Sequence, residues 1–281
     1  MLKGTRLLIQ DTLSEFPYLA KSNYSNKTKL IIFFTYLRIS LKLFTVHRIS
    51  KITKENFLGM TASFYDYGTF HFLFREIFIC NDYYFESKKK NPLILDCGAN
   101  IGIATLFFKW LYPNSIIHSF EPDPQTFELL EKNIKQNSLK KVYLHNVAIS
   151  NKRGKANFYV DKKNPGWLTM SLIKERLPKD KIVVKTSPLS DYTKTQQIDL
   201  VKLDVEGAEV KIIKELIKTK QINSIKEMFV EYHYGIKNKK IDFSYFLNLF
   251  EKNGFIYRLS AKVIPLYSKE TFQDILIYLH R

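Results

Sequence analysis

The sequence predicts an α/β fold with a mostly parallel sheet of seven strands. From residue 92 onward, apolar segments of strand length alternate with longer segments of helical periodicity. Such alternation is typical of parallel strands joined by right-handed helical crossovers. The last two apolar segments, at 255–259 and 274–279, are too close for a helical crossover. We therefore expect the C-terminal strand to run antiparallel.

Local signals justify the first five strands and the helices that follow them. The Tyr-Pro-Asn run at 112–114 ends the first helix, and Asp123 before Pro124 is a favoured start for the second. The strands are expected at 93–96, 115–120, 142–146, 200–204 and 227–232, and the helices at 101–111, 124–136, 208–218 and 243–252.

Two further regions flank this alternation. Aromatic residues are dense at 57–85, where we expect short strands or turns, a helix at 70–79 and aromatic side chains in the core. After the third strand, the segments 148–150 and 156–160 predict a hairpin, and 161–190 is expected to be loop-rich.

The formal net charge of +17 raises the question of nucleic-acid binding. Only 8 of the 44 basic residues are arginine, the residue that best reads phosphates and base edges. We therefore do not expect a nucleic-acid partner. An anionic membrane surface or an acidic saccharide fits the charge equally well.

The N-terminal residues 1–55 predict a basic helical extension to a domain at 56–281. Residues 1–54 hold ten Lys/Arg against two Asp/Glu. The apolar run at 30–44 is too short to span a bilayer and contains Arg38 and Lys42. This helix either lies on a membrane or packs on the core, and we favour packing. With two cysteines and no signal-peptide layout, we expect a cytoplasmic protein, membrane-associated if the helix lies on a bilayer.

A glycine turn follows the first strand, and an acid follows the second. The turn holds Asp96, Gly98, Asn100 and Gly102, and Glu121 comes nineteen residues after Gly102. A dinucleotide site needs a further glycine at the phosphate. The acid that opens the turn repels a phosphate but suits the amino group and sulfonium of S-adenosylmethionine, and an acid after the second strand suits a ribose. The alternative is an ordinary strand–helix turn.

The loops after the remaining strands carry further polar groups at the same sheet edge. Asn146 and Ala148 follow the third strand and would flank an adenine, unless Asn146 only caps a turn. Asp204 ends the fourth strand, and Glu231 and His233 end the fifth. An imidazole with carboxylates suits a divalent cation, or a general base and its orienting acid.

These motifs together resemble the FkbM family of methyltransferases over roughly residues 70–235. The motifs are Leu95-Asp96-Cys97-Gly98-Ala99-Asn100-Ile101-Gly102, Phe120-Glu121-Pro122, Asn146-x-Ala148-Ile149-Ser150, Lys202-Leu203-Asp204-Val205-Glu206-Gly207-Ala208-Glu209 and Glu231-x-His233, with Arg75-Glu76-Ile77-Phe78 and Tyr83-Tyr84 upstream. Cys97 stands where the family often has Ile or Val. The resemblance implies a class I methyltransferase fold and O-methylation by S-adenosylmethionine of sugars in glycans or lipid-linked oligosaccharides, or of natural-product hydroxyls.

The residue roles that follow are expectations. Asp96 and Gly98, with Asn100 and Gly102 in the same turn, would hold the methionine end. Glu121 and Pro122 would hold the ribose, and Asn146 and Ala148 the adenine. His233, oriented by Glu231, is the candidate base, unless Asp204, Glu231 and His233 bind a divalent ion. The expected substrate residues are Trp167, Ser171 and Glu206. The rival functions are a nicotinamide-dependent enzyme and a non-catalytic membrane- or glycan-binding protein.

Overall fold

The computed structural model describes residues 15–48, 50–177, 180–194, 196–236, 243–261 and 273–281. A helical stretch at 15–21 leads to helix α1 (Asn26–Phe44), which begins where the N–H of Thr28 donates to the side chain of Ser25. A short hairpin follows, made of β1 (Lys54–Phe57) and β2 (Met60–Ser63). Helix α2 (Tyr67–Phe74) then continues into a π-helical turn at Arg75–Ile79. The predicted helix at 70–79 is therefore confirmed.

The main sheet has seven strands in the order β11-β12-β10-β9-β3-β4-β5. Its strands are β3 (Leu93–Cys97), β4 (Ile116–Phe120), β5 (Val142–His145), β9 (Ile198–Leu203), β10 (Ile225–Tyr234), β11 (Ile256–Ala261) and β12 (Gln273–His280). Neighbouring strands are parallel except that β12 runs antiparallel to both β10 and β11. The predicted sheet and its antiparallel C-terminal strand are confirmed.

Helices connect the strands as the alternation predicted. They are α3 (Ile103–Leu111), α4 (Pro124–Gln136), α5 (Glu209–Lys218) and α6 (Phe243–Glu251). Asp123 caps α4 by accepting the N–H of Thr126 at 2.9 Å. Because each parallel strand ends at the same edge, the loops after β3, β4, β9 and β10 meet there.

The predicted hairpin of 148–150 with 156–160 is wrong. A second sheet has the order β6-β8-β7, in which β8 (Asp180–Pro188) lies between β6 (Ala148–Ser150) and β7 (Gly154–Val160). β8 pairs parallel with β6 and antiparallel with β7. The region at 161–190 is thus not all loop. Val184 of β8 is buried against β6 and β7 residues, and this apolar contact places β8 in the middle of the sheet.

Helix α1 packs on the aromatic core, as favoured from the sequence. Ile32, Tyr36 and Ile39 are buried in the same cluster as Phe74 and Phe78. On the flank, Arg38 and Lys42 both pair with the buried carboxylate of Glu55. The division of the chain at residues 55 and 56 stays a prediction. No helix in the described residues is long and apolar enough to cross a bilayer.

We expect Phe74→Ala to lower the free energy of unfolding by about 3 to 5 kcal/mol, because it empties a large core volume. Phe74 is fully buried and stacks on Phe78 with a centroid distance of 4.7 Å. Its ring also packs against Phe57 with a centroid distance of 5.6 Å and so joins α2 to the hairpin. Urea unfolding measures the change. Phe72→Ala on the same helix is the matched control, since Phe72 is 37% exposed. Equal losses in the two variants would contradict the prediction.

Candidate functional site

The candidate site begins at the glycine turn after β3. Gly98 has a φ of +83° and Asn100 a φ of +49°. A Cβ at Gly98 would lie 1.8 Å from the carbonyl oxygen of Asp204, so only glycine fits there. The N–H groups of Gly98 and Ala99 donate to the carbonyl of Phe120 at 3.0 and 2.9 Å. The turn is therefore fixed between the ends of β4 and β9.

Glu121 is held by backbone groups at the end of β4. One oxygen accepts the N–H of Asn100 at 3.0 Å, and the other accepts the N–H of Asp123 at 2.9 Å. Burial raises the pKa of Glu121 to about 8, because removal from water penalises the charged carboxylate. Glu121 and Pro122 line the same cavity as Gly98 and Asn100. These four predicted cofactor residues are thus brought together.

The cavity has a volume of about 700 Å³ and lies at the C-terminal ends of the parallel strands. This is the edge at which ligands bind in open α/β sheets. Acidic side chains outnumber basic side chains around it, although the whole chain carries a net charge of +17. The acids are Glu76, Asp82, Glu121, Asp204, Glu206, Glu231 and Asp274, and the basic side chains are Arg75, Arg176, Lys202 and His233.

A buried lysine connects the glycine turn to the end of β9. Lys202 is 3% exposed, and its Nζ donates to the carbonyl of Gly98 at 2.8 Å and to Asp204 at 3.1 Å. The same atom lies 3.7 Å from Asp96 and 5.3 Å from the ring centroid of Tyr83. Burial alone would lower the pKa of Lys202, but Asp204 and Asp96 outweigh it and raise the pKa. The ammonium group is therefore charged.

His233, near the end of β10, lies among carboxylates. Its Nδ1 is 2.9 Å from Glu209, and its Nε2 is 3.2 Å from Glu206 and 3.9 Å from Asp204. Burial alone would lower the pKa of His233, but Glu206 and Glu209 outweigh it and raise the pKa well above its usual value. The neighbouring carboxylates therefore favour the protonated imidazole, and Glu209 orients its ring.

Glu231 does not orient His233, which corrects the sequence prediction. Its carboxylate accepts a hydrogen bond from the hydroxyl of Tyr83, whereas Nδ1 of His233 pairs with Glu209. Burial raises the pKa of Glu231, and the charge of Asp204 raises it further. A protonated imidazole has no lone pair to accept a proton. The role of His233 as general base stays a prediction.

The side chains with metal-ligand spacing also differ from the predicted set. Among the described residues, Asp204, Glu206 and His233 offer ligand atoms within 4.8 Å of one another. Glu231 lies outside this group. Glu206 enters because its φ of +56° turns the loop after β9 toward His233, and it also forms an ion pair with Arg176.

Asp96 and Gly102 support the turn from behind, and their predicted contact with the cofactor stays a prediction. Asp96 is fully buried, and it accepts a hydrogen bond from the hydroxyl of Thr105 at 2.6 Å. Gly102 precedes α3 with a φ of +90°, and a Cβ there would lie 2.6 Å from the side chain of Leu130. Neither residue lines the cavity. Both therefore shape the backbone that does.

Asn146 and Ser171 likewise brace neighbouring loops rather than facing the cavity. The amide of Asn146 donates to the carbonyls of Glu121 and Pro122 at 2.9 and 3.1 Å. Ser171 is fully buried, and its hydroxyl donates to the carbonyl of Glu206. Both side chains thus contact backbone, and their predicted contacts with adenine and substrate stay predictions. Because both side chains bind carbonyls of cavity-lining residues, they hold the lining in place.

Ala148, Trp167 and Glu206 do line the cavity. Ala148 stands at the start of β6, beside Ile149, and gives this wall an apolar surface. Trp167 is 46% exposed, so part of its ring faces solvent. These are residues for which the sequence predicted contacts with adenine or substrate.

The sequence analysis assigned no role to four residues that organise the site: Tyr83, Arg176, Lys202 and Glu209. Lys202 had a signal, since an ammonium group inside the apolar run Leu200–Leu203 needs buried partners. Arg176 lies in a loop without a regular pattern, and Tyr83 precedes the sheet, so their contacts depend on tertiary structure. Glu209 is the first residue of α5, and it is also the partner of His233.

Comparison with known proteins agrees with this architecture. The model of the methyltransferase FkbM domain family matches residues 96–257, which is more than half of the chain and spans β3 to β11. The arrangement of parallel strands and the antiparallel last strand is that of a class I methyltransferase.

Curated relatives share this region. Methyltransferase 1 of Beauveria bassiana is 28% identical over 66% of this chain and 80% of the relative. Methyltransferase sdnD of Sordaria araneosa is 30% identical over 51% of this chain and 67% of the relative. The 2-O-methyltransferase NoeI of Sinorhizobium fredii is 31% identical over 45% of this chain and 58% of the relative. The chain therefore belongs to the FkbM methyltransferase family.

Proposed function

We propose that the protein transfers a methyl group from S-adenosylmethionine to a hydroxyl oxygen of a sugar in a glycan or glycolipid. One observation carries the proposal. The glycine turn, Glu121 and the carboxylates of Asp204 and Glu231 line a single cavity. A donor held at the turn can therefore meet an acceptor hydroxyl beside the carboxylates.

Glu121 is suited to bind the two ribose hydroxyls of the donor. Its oxygens are fixed by the N–H groups of Asn100 and Asp123, so little conformational entropy is lost on binding. Ala148 and Ile149 offer an apolar wall to the adenine. The excess of acids around the cavity favours a cationic sulfonium over the neutral thioether product, since opposite charges attract strongly in a partly desolvated site.

The acceptor must lose a proton as its oxygen attacks the methyl carbon. We assign this proton to Asp204, because its carboxylate lines the cavity and one oxygen is fixed by Lys202 at 3.1 Å. The other oxygen lies 3.9 Å from His233, beyond hydrogen-bond distance. His233 is protonated and acts as a neighbouring positive charge. Most of the acceleration then comes from alignment of the hydroxyl with the methyl group.

A neutral sugar fits this cavity better than a polyanion. Lining carboxylates such as Asp82, Asp204 and Asp274 disfavour phosphodiesters and acidic saccharides, and their oxygens accept hydrogen bonds from sugar hydroxyls. The half-exposed ring of Trp167 offers an apolar platform for a sugar face. The name of the relative NoeI specifies a 2-O-methyltransferase, which supports an oxygen acceptor. A small natural product with hydroxyl groups is the alternative acceptor.

A divalent ion is the alternative means of activating the hydroxyl. Asp204, Glu206 and His233 would hold it, and Glu209 would fix the other ring nitrogen as carboxylates do for many metal-bound histidines. Such an ion lowers the pKa of a bound hydroxyl. We propose the metal-free form, because Arg176 already pairs with Glu206 and Lys202 with Asp204.

Donor binding tests the proposal first. Titration calorimetry with S-adenosylhomocysteine should give micromolar affinity, and Glu121→Ala should abolish it. The pH dependence follows from the raised pKa of Glu121, because ribose hydroxyls donate to the carboxylate form. Affinity for 5′-methylthioadenosine, which lacks the titratable amino acid, should therefore increase from about pH 6.5 to about pH 8.5. Glu121→Gln should remove this increase. A folded protein that binds neither ligand would refute the cofactor assignment.

Replacing the proposed proton acceptor should slow transfer without weakening donor binding. We expect Asp204→Asn to reduce the single-turnover rate roughly 100- to 1,000-fold, because general-base catalysis contributes this much. The assay follows tritium from labelled S-adenosylmethionine to a panel of neutral oligosaccharides and lipid-linked sugars. His233→Gln is the comparison variant. A larger loss in His233→Gln than in Asp204→Asn would assign the proton to the imidazole instead.

Metal removal separates the two forms of the mechanism. Because lysine and arginine already compensate the carboxylates, we expect excess EDTA to leave the transfer rate unchanged. Elemental analysis of the dialysed protein should find no stoichiometric divalent metal. Loss of activity in EDTA that magnesium or manganese restores would establish the metal-dependent form.

A further inference from the structure

One face of α1 presents large apolar side chains to solvent. Leu30 is 56% exposed, Phe34 61% and Leu41 49%. Their spacing of four and seven residues places them on one side of the helix. The opposite side holds the buried residues Ile32 and Ile39. The helix is therefore apolar on two opposite faces, and only the face with Ile32 and Ile39 is covered by the core.

This exposure is concentrated at the N-terminal end of the described chain. Of the fifteen exposed large apolar side chains in the described residues, seven lie at 16–46. The ring of Phe16 meets Phe33 edge-on with a centroid distance of 5.6 Å, and Phe33 meets Phe34 at 5.7 Å. These contacts join the 15–21 stretch to α1. We call the joint patch the N-terminal apolar surface, formed by Phe16, Leu30, Ile31, Phe34 and Leu41.

The described residues at 15–55 are basic and include no exposed acid, although the exposed Glu86 accepts a hydrogen bond from Asn23 at 2.8 Å. Glu15 and Glu55 are the only acids at 15–55, and both are buried. Glu15 pairs with Arg75, and Glu55 pairs with two cations of α1. The lysines that lie exposed in the same region are Lys21, Lys27, Lys51 and Lys54.

The helical stretch that carries Phe16 also contributes to the cavity lining. Tyr18 lines the cavity and is 57% exposed. Because Tyr18 and Phe16 are two residues apart, they lie on nearly opposite sides of this stretch. The stretch therefore connects the N-terminal apolar surface to the lining of the cavity.

We propose that the N-terminal apolar surface docks on an anionic lipid bilayer. Apolar side chains beside lysines match the acyl and headgroup layers of such a membrane. A protein partner is disfavoured because lysine is depleted at protein–protein interfaces. The inference goes beyond the proposed function, since bilayer binding requires no methyl transfer.

Vesicle co-sedimentation of the full chain tests the proposal. We expect binding to vesicles of phosphatidylcholine with phosphatidylglycerol, weaker binding at high salt, and little binding to phosphatidylcholine alone. The double variant Leu30→Gln/Phe34→Gln should lower the partition coefficient roughly tenfold or more, because two large apolar side chains no longer insert. Val183→Gln/Ile256→Gln is the matched control, since these side chains are 67% and 62% exposed elsewhere on the protein.

Two further measurements distinguish membrane docking from other causes of reduced vesicle binding. Emission from Phe34→Trp should shift to the blue with anionic vesicles and be quenched by brominated lipids. S-adenosylhomocysteine binding by the double variant should equal that of the unmodified chain, which separates docking from the cofactor site. Absence of vesicle binding, or equal loss in the control variant, would overturn the proposal. So would a dimer in light scattering that Leu30→Gln/Phe34→Gln converts to a monomer, since the surface would then belong to a second copy.

Discussion

The site depends on one buried ammonium group. Lys202 lies near the end of β9, in the middle of the sheet. Its Nζ donates to the carbonyl of Gly98 and to the carboxylate of Asp204, and it lies close to Asp96. A buried charge without partners strongly destabilises the folded protein. Removal of Lys202 would also be destabilising, because it would leave the nearby carboxylates without a positive partner. The cofactor turn and the proposed proton acceptor are therefore positioned by the same cation. The close approach of Gly98 to the backbone of Asp204 completes this coupling between β3 and β9.

Net charge and local charge have opposite signs in this protein. The chain carries +17 overall, yet acids predominate around the cavity. The composition alone allowed an acidic saccharide as partner, and the cavity argues against one. Positive charge is instead exposed at the N-terminal end, where Glu15 and Glu55 are buried and neutralised. The net charge thus affects which surfaces the whole protein approaches, whereas the charges that line the cavity affect which ligand enters it.

The fold was predictable because hydrophobic periodicity and turn residues are local signals. The alternation gave the seven strands, and the glycine turn and Glu121 were correctly placed at one cavity. The predictions were wrong where contacts between distant parts of the chain determine the structure. β8 inserts between two strands that are close in sequence, and Glu209 rather than Glu231 reaches His233, because the loop after β9 turns back toward β10 at Glu206 and Gly207. Sequence spacing identified which residue types converge at the sheet edge, but it could not assign their partners.

Tyr83 connects the region before the sheet to the candidate site. It lies upstream of the segment that matches the family model, and its ring packs near Phe108 and Phe229 with centroid distances of 6.5 and 5.8 Å. Its hydroxyl reaches Glu231 and its ring lies under the ammonium of Lys202. One side chain therefore joins the aromatic core, which α1 helps to build, to the charged groups of the cavity. A shift of the N-terminal helices in the core would move this ring, and the carboxylate that it binds would follow.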